Sequence, residues 1–387
     1  MNTIDLFSPR VKQSQLHPYF KRLCEEESYK DVLSTIQSWS QGMDGRKKEL
    51  DKFIKEFQIS FNSSFWELYL NKAFQDLGFE IDYSKESPDF HLIHSSGRVV
   101  NVEAVTSNHK DVTNKSYYTK EAYKETIENK SKDEAILKLL GKIKDKRDLF
   151  VGRDGKKYPY SELEHVKESP FVLAIAPFDN HISYTQNNTL INQVLYGVVT
   201  PEMEDINNKN SKKIDYIINK NGQKIDLGIF TNDSYKEISA VIFSNTATFG
   251  KSISQSKMQN TTFRSTRFRI GDLNDFVSKY GVESFGVSEA KLSDTHTVMI
   301  VRMPMDDIVF GSDVHFCDSS EYYETHLDGL HIYYNPYAEI PLDNDLFNAY
   351  EITQNYFDTS TKEMVPIHSD NSLVSRQIFT EKGFNNE

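Results

Sequence analysis

One short stretch constrains this chain more than any other. Phe90 and Leu92 alternate with Asp89 and His91 on one side of Ser95-Ser96-Gly97, and Val100 and Val102 alternate with Asn101 and Glu103 on the other. Alternation of this period belongs to strands, and a glycine between two such runs predicts a hairpin. If Ser95, Ser96 and Gly97 form a three-residue loop with Gly97 left-handed, His94 lies opposite Arg98, Phe90 opposite Val102, Leu92 opposite Val100 and Asp89 opposite Glu103. One face is then apolar, and the other carries Asp89, His91, Asn101 and Glu103. A two-residue loop would instead put the two carboxylates on opposite faces. Two carboxylates on one face are a candidate metal site; the other reading is a plain hairpin with its polar face in water.

A third acid precedes this hairpin. Glu67 lies in Ser64-Phe65-Trp66-Glu67-Leu68-Tyr69-Leu70, where a serine leads into an apolar helical run that stops near Gly78. Its neighbours on the helix surface are Leu70, Asn71 and Phe74, so the carboxylate sits largely among apolar side chains. A buried carboxylate is costly unless it is paired or ligates a metal. The alternative is a glutamate that bends to the surface or bonds a lysine.

A helix with Glu67, a strand at Phe79 to Tyr83, a strand opening on Pro88-Asp89 and a strand carrying Glu103-Ala104-Val105 follow in that order. This order resembles the PD-(D/E)XK nuclease superfamily over about residues 64 to 177. The resemblance implies an α/β fold, a restriction-endonuclease-like mixed sheet in the order αβββαβ flanked by helices. It also implies metal ligation by Asp89 and Glu103, with Glu67 as a further ligand or water-orienting group and the Ala104 carbonyl as another ligand. Val105 occupies the position of the family's third-motif lysine, which some members move to another element or replace. The helix read over Asp133 to Lys146 places Ala135, Ile136, Leu139, Leu140 and Ile143 on one side, with Lys142 at its margin as the replacement candidate. Lys110 and Lys115 are rivals, and a solvated helix face is the plain reading of each lysine.

Carboxylate oxygens suit hard divalent cations, so the cofactor expected is Mg2+ or Mn2+. The reaction expected is phosphodiester hydrolysis, with DNA as the favoured substrate and action against foreign DNA as the setting by analogy. The alternative is an inactive nuclease-fold module that binds nucleic acid or protein. His91 shares the acidic face, with His94 and His109 nearby, but no HxxxH or HExxH spacing or GxSxG elbow supports other chemistry.

The net charge of −12 argues against a chain coated for nucleic acid but leaves room for local basic surfaces. Residues 251 to 269 hold Lys251, Lys257, Arg264, Arg267 and Arg269 with Phe263 and Phe268 and no acid, making them the candidate nucleic-acid surface; an exposed loop with incidental charges is the other reading. Asn245-Thr-Ala-Thr-Phe-Gly250-Lys251-Ser252 also follows a phosphate-loop pattern without its first glycine, a weaker NTP-binding alternative.

With 387 residues and 38% hydrophobic content the chain can bury a large core. Cys24 and Cys317 are too few and too far apart for a disulfide framework, and neither an apolar leader nor a spanning stretch is visible. A cytoplasmic protein with no membrane partner is expected, and a homodimer is compatible. The expected division is an N-terminal helical segment at 1–60, including helices at 31–39 and 47–57, a nuclease-like core at 61–250 and a C-terminal α+β extension at 251–387. Pro170 to Pro177 reads as a buried core strand, and the tail after Asp358 as polar and partly disordered.

Overall fold

Four helices lead the chain: α1 (Pro18–Glu25), α2 (Lys30–Trp39), α3 (Leu50–Ile59) and α4 (Asn62–Asp76). The computed structural model describes residues 4–107, 130–153, 155, 158–178, 188–199, 212–281, 286–302 and 308–380. Helices α2 and α3 are amphipathic, burying Val32, Ile36 and Trp39 and Phe53, Ile54 and Phe57 respectively. Helix α4 spreads its apolar residues over a wide arc and is correspondingly central, with Phe65, Trp66, Leu68, Tyr69, Leu70 and Phe74 buried. It is pinned at both neighbours: Trp66 Nε1 donates to the Ala174 carbonyl at 2.9 Å and the Tyr69 hydroxyl to the His326 carbonyl at 2.8 Å. Ser64, read as a cap, lies inside α4, whose first residue is Asn62; Gly78 ends the element with φ +81°.

The chain then builds an eight-stranded mixed sheet whose spatial order follows its sequence order. The strands are β1 (Glu80–Ile81), β2 (Phe90–Ile93), β3 (Val99–Thr106), β4 (Phe171–Ala176), β5 (Ala240–Phe243), β6 (His331–Tyr334), β7 (Thr353–Asp358) and β8 (Glu363–Ile367). Pairs β1/β2 and β2/β3 are antiparallel, β3/β4 and β4/β5 parallel, β5/β6 antiparallel, β6/β7 parallel and β7/β8 antiparallel. Helices α5 (Lys130–Val151) and α6 (Thr189–Tyr196) cover the second face. Side-chain alternation divides the core in two. Phe90, Leu92, Val100, Val102, Val172 and Ala174 pack with α1 to α4, whereas Val105, Leu173, Ile175, Val241 and Phe243 pack with α5 and α6. Strand β4 is buried on both faces, as its unbroken apolar run requires. The fold is thus α/β, a mixed sheet between two helical layers.

Two expectations about the C-terminal part need correction. The boundary near residue 250 falls inside the main sheet, because β6, β7 and β8, beyond it, complete that sheet. Up to Thr380, where the described residues end, the polar tail carries two strands: β8 lies within it, and Leu373–Thr380 joins a second, five-stranded antiparallel sheet with Gly286–Lys291, His296–Arg302, Ile308–Asp318 and Thr261–Asp272. Sparse apolar residues are enough there, since Leu373 and Ile378 are the buried ones. Helix α7 (Phe249–Ser256) leads into this sheet, and α8 (Leu273–Tyr280) packs Phe276 against its Val298, Ile300 and Val309. Among the described residues no helix is long and apolar enough to cross a membrane.

Candidate active site

The hairpin has the register read from its sequence. Phe90 pairs with Val102, His91 with Asn101 and Leu92 with Val100. The His94 N–H donates to the Arg98 carbonyl at 2.9 Å, the Gly97 N–H to the His94 carbonyl at 2.8 Å, and Gly97 has φ +83°, so the loop is three residues with a left-handed glycine. Asp89, one residue ahead of β2, accepts the Ala104 N–H on Oδ2 at 2.8 Å, which brings its carboxylate beside Glu103.

Most of the polar face of this hairpin is closed to water, with Asp89 half-buried at its edge. His91, Asn101 and Glu103 are all buried. Asn101 is held by His91 Nδ1 at 2.9 Å and donates to the His165 carbonyl at 3.3 Å, while His165 Nε2 lies 2.7 Å from the Ser87 carbonyl. These contacts account for His91 without a catalytic role. His94 turns back to Ser96 in the loop at 2.8 Å. His109, Lys110 and Lys115 lie outside the described residues.

The lysine that reaches the carboxylates is Lys146, not Lys142. Lys146 Nζ lies 2.5 Å from Glu103 Oε1, whereas Lys142 is exposed on the same helix. At about 100° per residue, Lys146 is roughly 50° from the centre of the stripe formed by Ala135, Ile136, Leu139, Leu140 and Ile143, and Lys142 roughly 90°. Helix α5 continues to Val151, so the turn bearing Lys146 is fully formed. The stripe angle was the sequence signal for this residue.

Burial and the charge of Asp89 push the Glu103 carboxyl up to about 7, opposed by Lys146. Burial works against the Lys146 ammonium, but Glu103, then Asp89 and Glu67, hold its pKa above the ordinary lysine range. Glu103 Oε2 remains buried with no hydrogen-bond partner. An unsatisfied carboxylate oxygen in that position, next to a second carboxylate, fits a hard divalent cation.

Glu67 approaches from the other helical layer and has its own counter-ion. Arg46 Nη1 donates to Glu67 Oε2 at 2.6 Å, and the guanidinium lies over Phe53, Tyr83 and Phe90 at 5.0, 4.8 and 5.5 Å from their ring centroids. Burial raises the Glu67 carboxyl, with Arg46 opposing and Asp89 adding to the rise. Among the described residues no group of three or more His, Cys, Asp or Glu is arranged to hold a metal ion. Arg46 has no pattern in the sequence that points to it, because its partner is distant along the chain.

The basic segment at 251–269 is not a free cationic loop. It comprises most of α7 and a long strand, and three of its cations meet acids from elsewhere. Lys251 is fully buried, paired with Glu324 and donating to the Asp328 carbonyl at 2.8 Å. Arg267 pairs with Asp328 at 3.2 Å and Arg269 with Asp370 at 3.1 Å, while Lys257 donates to the Tyr322 carbonyl. Arg264 lies over Phe316 at 5.6 Å and contacts Gln377. The phosphate-loop reading fails for the same reason: the Lys251 amine it needs is enclosed. No protein-family model, curated protein or solved structure matches this chain.

Proposed function

We propose that Asp89, Glu103 and Lys146 form the centre of a divalent-cation-dependent phosphodiesterase, a nuclease for which DNA is the favoured substrate. The observation that carries this reading is the placement of Lys146 Nζ at 2.5 Å from Glu103, on the face where Asp89 also lies. The element order α4, β1, β2, β3, α5, β4 supports the resemblance to the PD-(D/E)XK nucleases, with the lysine supplied by a helix in place of Val105.

Asp89 and Glu103 would hold Mg2+ or Mn2+, with the Ala104 carbonyl adjacent. The bound ion would supply Lewis acidity and lower the pKa of a coordinated water. The Ala104 N–H fixes the Asp89 carboxylate in orientation. Lys146 places a positive charge where negative charge develops on the phosphoryl oxygens, and packing on the α5 stripe limits its reorganisation. Defence against foreign DNA is a setting offered by analogy alone.

The test is cleavage of plasmid and single-stranded DNA with Mg2+ or Mn2+. Wild type should cleave, and Asp89→Ala and Glu103→Ala should each lose activity by about 100-fold or more while remaining folded. Cleavage that survives both changes would remove the site. A second reading, a nuclease-fold module that binds without cutting, is favoured by the ion pair that already neutralises Glu103; wild type that binds DNA and never cleaves it would select that reading.

A further inference from the structure

We infer that Arg46 is a positioning residue that holds the Glu67 carboxylate away from the cation centre, leaving Asp89 and Glu103 as its protein carboxylates. The inference rests on the reading of Asp89 and Glu103 just given and assigns a role to the N-terminal helical layer, outside the stretch that carries the family resemblance.

The two glutamates meet cations from opposite helical layers. Phe90 and Val102 face α1 to α4, while Val105, two residues beyond Glu103 and on its face, packs with the α5 layer. Glu67 comes from the first layer and Glu103 meets Lys146 from the second. Asp89 lies ahead of β2 and is sensed by both acids. Arg46 is seated firmly, with its side chain 11% exposed and three aromatic rings around the guanidinium. Its Nη1 is on Glu67, and its Nη2 is buried without a partner. A carboxylate bound this way already has a counter-charge at 2.6 Å, which it would have to leave in order to turn to a second cation. Without Arg46, Glu67 would be a buried acid beside Asp89 with no counter-charge, and a bound metal ion would become its best partner.

The experiment is calorimetric titration of the full chain with Mn2+ alone, without nucleic acid. Glu67→Gln should leave the Mn2+ affinity within about twofold of wild type. Arg46→Gln should tighten it about fivefold or more by adding a third carboxylate, and Arg46→Gln/Glu67→Gln should return it to within about twofold. Arg46→Lys keeps the charge and should stay near wild type. If Arg46→Gln alone does not fold, Glu67→Gln, whose amide oxygen still accepts from Arg46, decides: affinity within about twofold of wild type keeps the inference. A tenfold loss of affinity in Glu67→Gln would make Glu67 a ligand and overturn the inference, as would an unchanged or weakened affinity in folded Arg46→Gln. Wild type that binds no Mn2+ overturns it too, and that failure is distinct because it appears before any substitution and removes the cation site itself.

Discussion

Lys146 and Glu103 are 43 residues apart in the chain and 2.5 Å apart in space, joined across the interface between α5 and β3. For a lysine that stabilises charge, the position of the ammonium matters more than the element that carries its stem. A four-carbon side chain from a packed helix can put its tip where a strand residue two positions after Glu103 would otherwise reach.

This relationship separates two lysines one turn apart. Lys146→Ala should lower metal-dependent cleavage by about 100-fold or more, while Lys142→Ala, on the exposed side, should stay within about twofold. Steady-state rates on a linear DNA substrate at saturating Mg2+ provide the check, and equal effects of the two changes would refute the assignment of Lys146.

The hairpin that aligns Asp89 with Glu103 depends on Gly97 at φ +83°, where an added Cβ would meet nothing within 4 Å. The cost of Gly97→Ala is therefore backbone strain without a clash. It should destabilise the protein by about 1 kcal/mol, with Gly97→Asn milder. Urea midpoints of the two variants measure the difference.

Removing Glu324 should be far more damaging than removing a surface acid. Its carboxylate is fully buried between Lys251 and Arg376, with Arg376 Nη1 at 2.6 Å from Oε2. Glu324→Gln leaves two buried cations without their counter-charge, an expected loss of about 3–5 kcal/mol in unfolding free energy. Lys55→Ala, which breaks the exposed pair with Asp51, should cost under about 1 kcal/mol by the same denaturation measurement.

The same group sets an acid limb of stability. Burial alone would raise the Glu324 carboxyl, but the charges of Arg376 and Lys251 hold it down at about 2, against 4.5 for an ordinary glutamate. A carboxyl depressed in the folded state contributes stability that is complete above its unfolded pKa and lost as pH falls through its folded one. The loss should therefore run from about pH 4.5 down to pH 2 and amount to about 3 kcal/mol. Thermal melts across that window should show the limb in wild type and a flattened one in Glu324→Gln; an identical slope in both would contradict it.

Local rules make much of this legible in the amino-acid sequence. The Gly97 loop and the alternation around it are short-range, and they were sufficient for the pairing of Phe90 with Val102 and the approach of Asp89 to Glu103. The apolar run at Phe171–Ala176 likewise announced a strand covered on both faces. The same rules misjudged residues 251–269, where the absence of acids along the segment suggested an open basic surface; Glu324, Asp328 and Asp370 come from far along the chain.

Strand period, helix period and the left-handed glycine act between residues a few positions apart, so they appear directly in the order of amino acids and were enough to bring two carboxylates together. Which cation meets each acid depended on the packing of α5, of the turn at Arg46 and of the second sheet. An ion pair requires proximity of side-chain tips, and proximity between distant segments exists only once the layers have closed around a common core.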